Sequence, residues 1–98
     1  MTLEEIQLLV LTDRYHYTDK VRTFMEEGWY SEEDLEHCIF TANKIYKRER
    51  DESGTSVDGM KYVIFGKDTH GCAFYTCGKV KKDDEGKLYF FITAHKAD

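Results

Sequence analysis

The sequence contains no proline, and it has no internal repeat or low-complexity linker that would divide it. At 98 residues it has room for one hydrophobic core, since domains run from about 50 to 200 residues. We therefore expect residues 1–98 to form a single domain. No apolar stretch approaches the ~20 residues of a membrane span, and the N-terminus lacks a signal-peptide pattern, so a cytoplasmic protein without membrane attachment is expected.

Cysteine is scarce, with Cys38, Cys72 and Cys77 as its three occurrences. An odd number without disulfide spacing favours reduced thiols. His70 beside Cys72 and Cys77 raises the alternative of a zinc site, but the Cys-x-x-Cys pairs that structural zinc prefers are absent. Cys77 with His95 is an alternative nucleophile pair, although the local sequence supplies no oxyanion hole. We expect no metal and no cofactor.

Basic residues are outnumbered by acidic ones, which gives a net charge of −5. That value argues against generic phosphate binding, which needs a basic surface. The charge is unevenly divided, however: residues 1–40 carry ten Asp and Glu against three Lys and Arg, and residues 41–98 carry nine against eleven. An anionic ligand is therefore expected to meet the second part of the chain.

The first part of the chain has the signals of three helices. Thr2 followed by Glu5 is a capping box, and apolar residues then recur at helical spacing over roughly residues 3–12. Thr18 caps a second helix that ends at Glu27, because Gly28 follows where a left-handed C-terminal cap is expected.

The third helix begins after Ser31, whose hydroxyl can cap it. Glu32, Glu33 and Asp34 follow in the first turn, where the helix dipole favours carboxylates. We interpret this acidic run as dipole complementation rather than as a metal site. Together with Glu36, it is also a candidate surface for a basic partner.

Two aromatic residues, Trp29 and Tyr30, are adjacent in the link between the second and third helices. We expect the pair to fill the core. A contact between two copies of the chain is the alternative use of such a pair.

After Asn43 the pattern becomes extended. Clusters of glycine, serine and charged residues separate apolar and aromatic runs at hairpin spacing, which predicts an antiparallel meander. The basic first strand is expected at a sheet edge, where charge discourages unwanted pairing. The predicted fold class is α+β, with two or three N-terminal helices packed on a four-stranded antiparallel sheet whose strands are Lys44–Arg50, Met60–Phe65, Cys72–Val80 and Lys87–Ala94.

Alternation in the last strand predicts which side chains face the helices. Leu88, Phe90, Ile92 and Ala94 form one set and are expected in the core. The other set is then expected to face solvent, a groove or a partner: Tyr89, Phe91, Thr93 and His95.

Basic side chains are interleaved with aromatic rings on the predicted strands. Such a sheet face can hold a nucleic-acid backbone and stack bases, and it can equally be an ordinary solvated surface. The members of this set are Lys44, Tyr46, Lys47, Arg48, Arg50, Lys61, Tyr62, Tyr75, Lys79, Tyr89 and His95.

The order of these elements resembles a family of uncharacterised domains similar to BrnT and, more distantly, to the RelE and ParE toxins. The resemblance covers roughly residues 15–95 and is carried by the helix that ends at Gly28, the step from Ser31 to Asp34, the segment Gly59–Ile64 and the closing Tyr89–His95. It implies a helices-then-sheet fold in which toxin members cut messenger RNA with side chains on the sheet.

The resemblance also implies candidate catalytic residues. In such a nuclease Lys and Arg stabilise charge on the phosphate while a base or hydroxyl assists the ribose 2′-hydroxyl. Arg48, Arg50 and His95 are the residues we would assign to that chemistry here, with Lys61, Tyr75 and Lys79 in support. Many relatives have a histidine early in the second helix and an arginine before the glycine, whereas this chain has Asp19 or Lys20 and Glu27 there.

Two functional hypotheses follow. The favoured one is a non-catalytic interaction module or inhibitor, whose acidic part binds a protein partner, either antitoxin-like or a basic nucleic-acid-binding protein. The alternative is an endoribonuclease toxin of a toxin–antitoxin system, or an RNA-binding relative of one.

Overall fold

Three helices and five strands make up residues 1–97, the part of the chain that the computed structural model describes. None of the helices in that part is long and apolar enough to cross a membrane. In chain order the elements are α1 (Leu3–Leu11), β1 (Tyr15–Tyr17), α2 (Asp19–Glu26), α3 (Glu32–Thr41), β2 (Lys47–Arg50), β3 (Met60–Lys67), β4 (Ala73–Asp83) and β5 (Gly86–Lys96).

The helix starts are those that the sequence predicts. The Thr2 hydroxyl accepts a hydrogen bond from the Glu5 amide in a complete capping box, and the Thr18 hydroxyl accepts one from Val21. Ser31 forms a second capping box with Asp34. Each cap satisfies backbone donors that a helix leaves unpaired at its first turn.

The sheet has five strands in the order β1-β5-β4-β3-β2, and it is mixed rather than purely antiparallel. The prediction of four antiparallel strands is wrong in this respect. The meander from β2 to β5 is antiparallel as predicted, but β1 adds a parallel edge by pairing Tyr15 with Tyr89 and Tyr17 with Phe91. The basic β2 lies at the other edge, as predicted, and it begins at Lys47 rather than Lys44.

All three helices pack on one face of the sheet, and the core lies between the two layers. Ile6 and Val10 of α1 and Leu35 and Ile39 of α3 are fully buried there. Helix α3 approaches β3 so closely that a Cβ at Gly66 would overlap the Cys38 carbonyl oxygen. The opposite face, which we call the open face, carries no helix.

A bulge in β5 changes which side chains face the helices. Cys77 of β4 pairs with Thr93, whereas the next residue, Gly78, pairs with Phe91, so Ile92 is the extra residue. Alternation therefore reverses at Ile92. Of the expected core set, Ala94 belongs to the core, Leu88 is buried but lies outside the core cluster, and Phe90 and Ile92 are half-buried.

Tyr89 and Phe91 are consequently core residues and do not lie on the open face. Both side chains are fully buried among the helices, and the Tyr89 ring lies against Gly78. Any Cβ at position 78 would be about 2.5 Å from that ring, so β4 needs glycine there. Ala94 is buried as expected, and His95 is exposed on the open face.

The adjacent aromatic residues of the α2–α3 link separate into two environments. Tyr30 fills the core, where its ring packs edge-on against Phe74 at 5.4 Å between centroids. Trp29 does not, because 64% of its surface is exposed. The expectation that both residues fill the core is therefore correct for Tyr30 and wrong for Trp29.

Candidate functional site

Asp34, predicted as a binding residue, is a structural residue at the start of α3. One carboxylate oxygen accepts the Ser31 amide at 2.9 Å, and the other accepts the Thr69 amide at 2.9 Å and its hydroxyl at 2.8 Å. Burial alone raises the pKa of Asp34, but hydrogen bonds from Thr69 and Ser31 outweigh it and lower that pKa. Asp34 thus joins α3 to the β3–β4 turn and is not free for a partner.

Glu32 and Glu36 lie one helical turn apart on α3 and share a donor. The Tyr15 hydroxyl lies 2.6 Å from a Glu32 oxygen and 2.7 Å from a Glu36 oxygen. Burial, followed by these two hydrogen bonds, raises the pKa of Tyr15, so the phenol stays protonated. The remaining carboxylate oxygens, together with exposed Glu33, give the start of α3 a negative surface.

An open groove of about 770 Å³ lies beside this negative surface. Glu26, at the end of α2, and Glu32, at the start of α3, both line it, and so does exposed Trp29 between them in sequence. We call it the acidic groove. Its other lining residues are Tyr17, Arg22, Met25, Gly28, Tyr30, Ser31, Asp34, Asp68, Thr69, His70 and Lys96.

The acidic groove already contains one cation on an aromatic ring. The Arg22 guanidinium lies 5.6 Å from the Tyr17 ring centroid and donates a hydrogen bond to the Asp19 carboxylate at 2.8 Å. Trp29 is held differently, since its indole nitrogen donates to Glu27 at 3.2 Å and leaves much of the ring exposed. An exposed indole among carboxylates is a suitable contact for a Lys or Arg side chain.

The open face carries a row of four aromatic rings that crosses the sheet. Tyr46 packs on Phe65 at 4.6 Å between centroids, Phe65 on Tyr75 at 5.3 Å, and Tyr75 on His95 at 3.9 Å. Phe65, Tyr75 and His95 are cross-strand partners on β3, β4 and β5, which sets this alignment. We call these residues the aromatic row.

Lysines accompany the aromatic row. Alternation puts Lys47 and Lys61 on the open face, and the Lys81 ammonium lies 4.6 Å from the Phe90 ring centroid. Glu49 is on the same face and forms an ion pair with Lys47 at 3.6 Å. These three lysines and Glu49 share the open face with the aromatic row.

Three predicted binding residues do not contribute to this surface. Lys79 is only 7% exposed, because the loop after β2 covers it and its ammonium contacts Ser53 at 2.9 Å and Asp51 at 3.4 Å. Tyr89 is in the core, as described above. Lys44 is exposed but precedes β2 and belongs to no strand.

The candidate catalytic residues do not converge. Arg48 and Arg50 pair with Tyr62 and Met60 on the side of β2 that faces the helices, and the Arg48 guanidinium lies 5.8 Å from the Tyr62 ring centroid. His95 is on the opposite face of the sheet, three strands away. These residues therefore form no common site for a phosphate.

The arrangement of the cysteine side chains supports neither of the two sites considered from the sequence, the zinc site and the Cys–His nucleophile pair. Burial raises the pKa of Cys38 to about 12 and also raises that of Cys77, so neither is an activated thiolate. Within residues 1–97, no three His, Cys, Asp or Glu side chains are grouped to hold a metal ion.

Comparison with protein-family models, curated proteins and solved structures finds no match to this chain. The resemblance to BrnT and to the RelE and ParE toxins therefore stays a prediction.

Sequence reasoning missed Phe65 and Trp29 as surface residues. Phe65 follows Ile64 in a strand, and alternation alone would have put one inside and the other outside. Trp29 had no such signal, because a residue in a link between helices follows no period.

Proposed function

We propose that this protein is a non-catalytic interaction module that binds a basic segment of a protein partner at the acidic groove. Trp29 is the observation that carries the proposal: a large indole is left exposed in a groove that Glu26 and Glu32 also line. Exposed tryptophan is costly to leave in water and is enriched at the centres of interfaces.

Charge selects the kind of partner. Glu26 and Glu32 line the groove with the indole, and Glu33 is exposed next to Glu32 in the first turn of α3. A Lys or Arg side chain placed over the ring gains both cation–π and ionic attraction. The net charge of −5 adds longer-range attraction for a basic protein. An inhibitor of a basic nucleic-acid-binding protein is one role that fits these contacts.

The test uses a short blocked peptide of alternating arginine and glycine and the emission of Trp29, which is the only tryptophan in the sequence. We expect a saturable change in emission whose affinity falls as salt is raised, because the attraction is screened. The matching glutamate–glycine peptide is expected to produce no change.

Charge variants locate the effect. A triple variant is expected to bind the arginine–glycine peptide about tenfold or more weakly, which corresponds to about 1.4 kcal/mol of binding free energy. It combines Glu26→Gln, Glu32→Gln and Glu33→Gln. The control removes the same charge elsewhere, with Glu4→Gln, Glu52→Gln and Asp84→Asn, all exposed. Equal weakening in both variants would mean that net charge alone attracts the peptide, and the proposal would fail.

The aromatic row favours a second candidate, single-stranded RNA binding without cleavage. Rings on a sheet with nearby lysines are the arrangement that stacks bases and contacts phosphates. Since Arg48, Arg50 and His95 do not converge, this candidate is a binding function rather than a nuclease. A relationship with RelE-like toxins would agree with it.

A fluorescently labelled RNA oligonucleotide tests the second candidate by anisotropy at low salt. Phe65→Ala with Tyr75→Ala is expected to weaken binding by about tenfold or more, because stacking contributes about 1–3 kcal/mol per base. Phe40→Ala, an exposed aromatic residue on α3, is the control. Absence of RNA affinity at low salt would eliminate this candidate and leave the first untouched.

A further inference from the structure

A second cavity, of about 470 Å³, lies where α2 meets the end of β5. Its size falls within the range of about 300–1,000 Å³ that small-molecule sites occupy. It shares Trp29, Tyr30 and Lys96 with the acidic groove but has different chemistry. The residues that line it are Lys20, Phe24, Trp29, Tyr30, Thr93, Ala94, His95 and Lys96.

The walls of this cavity are largely apolar. Phe24 and Tyr30 pack with 6.3 Å between ring centroids, and Trp29 and Ala94 add an indole and a methyl group. Such walls bind the hydrocarbon part of a ligand by removing it from water.

The charged groups that line the cavity are of one sign. Lys20 and Lys96 contribute ammonium groups, and no carboxylate of the described residues is among the lining side chains. This local excess of cations contrasts with the net charge of −5. A ligand with a negative charge is therefore electrostatically matched to the cavity.

Tyr30 lines the cavity, but its hydroxyl is not open to it. The residue is only 7% exposed, and its hydroxyl oxygen is buried without a hydrogen-bond partner within residues 1–97. Burial raises the pKa of Tyr30 to about 12, so the phenol stays protonated and adds no negative charge beside the cavity.

We propose that this cavity binds a small organic carboxylate with an apolar body. The hydrocarbon lies against Phe24, Trp29 and Ala94, and the carboxylate lies near Lys20 and Lys96. This site is additional to the binding of a basic protein, from which it differs in the sign of the charge that it selects.

Decanoate and decan-1-ol, which share a chain and differ in charge, are the probes. Titration of the Trp29 emission is expected to show saturable decanoate binding at least about tenfold tighter than that of decan-1-ol. The double variant Lys20→Gln with Lys96→Gln is expected to lose that preference, while its affinity for decan-1-ol stays unchanged. Lys82→Gln with Lys87→Gln, at the distant β4–β5 turn, is the control and should retain it.

A second measurement locates the ligand and separates it from surface adsorption. Backbone amide shifts in ¹⁵N-labelled protein are expected to change at residues 20–24 and 93–96 when decanoate is added. Tyr30→Phe is expected to leave decanoate binding unchanged, because the hydroxyl that it removes is not open to the cavity. Equal affinities for the two probes, unchanged decanoate binding in the cavity lysine variant, or shifts confined to other residues would each overturn the proposal.

Discussion

At the scale of single residues, Gly78 and Tyr89 show how one small side chain permits one large one. The Tyr89 ring occupies the space in which a side chain at position 78 would lie. Its hydroxyl is buried without a partner among residues 1–97, so the ring is kept there by packing rather than by hydrogen bonding.

Gly78→Ala is expected to destabilise the protein by about 1–3 kcal/mol, because the added methyl group overpacks the core against Tyr89. Urea denaturation measures the loss. The same substitution in a Tyr89→Leu background should cost less, since the smaller side chain leaves room. An equal cost in both backgrounds would contradict the contact.

Asp51 makes stability depend on pH. Burial alone raises its pKa, but hydrogen bonds from Ser53 and Ser56 and the Lys79 ammonium lower it well below the ordinary value. A lowered folded-state pKa stabilises the protein above the unfolded-state value, and that contribution disappears as pH falls.

Asp51→Asn is therefore expected to reduce stability at neutral pH and to flatten the loss of stability between roughly pH 5 and pH 2. Urea midpoints across that range measure the effect. Glu52→Gln, an exposed neighbour, should leave the profile unchanged. A profile for Asp51→Asn parallel to that of the unchanged protein would contradict the assignment.

At the scale of elements, the sequence predicts the helices well and the sheet less completely. Capping hydroxyls and carboxylates are local signals, so Thr2, Thr18 and Ser31 locate three helix starts correctly. Strand β1 has only three residues and forms by a parallel contact with distant β5, which no local pattern reveals.

The bulge at Ile92 explains the wrong assignment of faces in β5. Alternation predicts faces only while pairing is regular, and one extra residue exchanges them. The sequence predicts the candidate site only in part for the same reason: Tyr75 and His95 lie on the open face as expected, whereas Tyr89 lies in the core.

A substitution of Tyr15 tests the hydrogen-bonded contact between β1 and α3. Tyr15→Phe removes the donor shared by Glu32 and Glu36 and is expected to cost about 1 kcal/mol in urea denaturation, since the pair of bonds is partly exposed. Tyr17→Phe is the control, because no hydrogen bond of the Tyr17 hydroxyl occurs among the described residues. Equal losses in both variants would show that the Tyr15 bonds contribute nothing.

At the scale of the whole molecule, the two faces differ in charge and in exposed aromatic groups. The helical layer presents Trp29 among carboxylates, and the open face presents the aromatic row among lysines. The two proposed ligands, a basic protein and an RNA strand, are therefore assigned to opposite faces and are not expected to compete.

The most direct test of the central claim is amide mapping of ¹⁵N-labelled protein with the arginine–glycine peptide at low salt. The account predicts shifts at the Trp29 indole and at the amides of residues 26–33, which disappear when Glu26, Glu32 and Glu33 are all replaced by Gln. Shifts centred on Phe65 and Tyr75, or no shift at all, would contradict it.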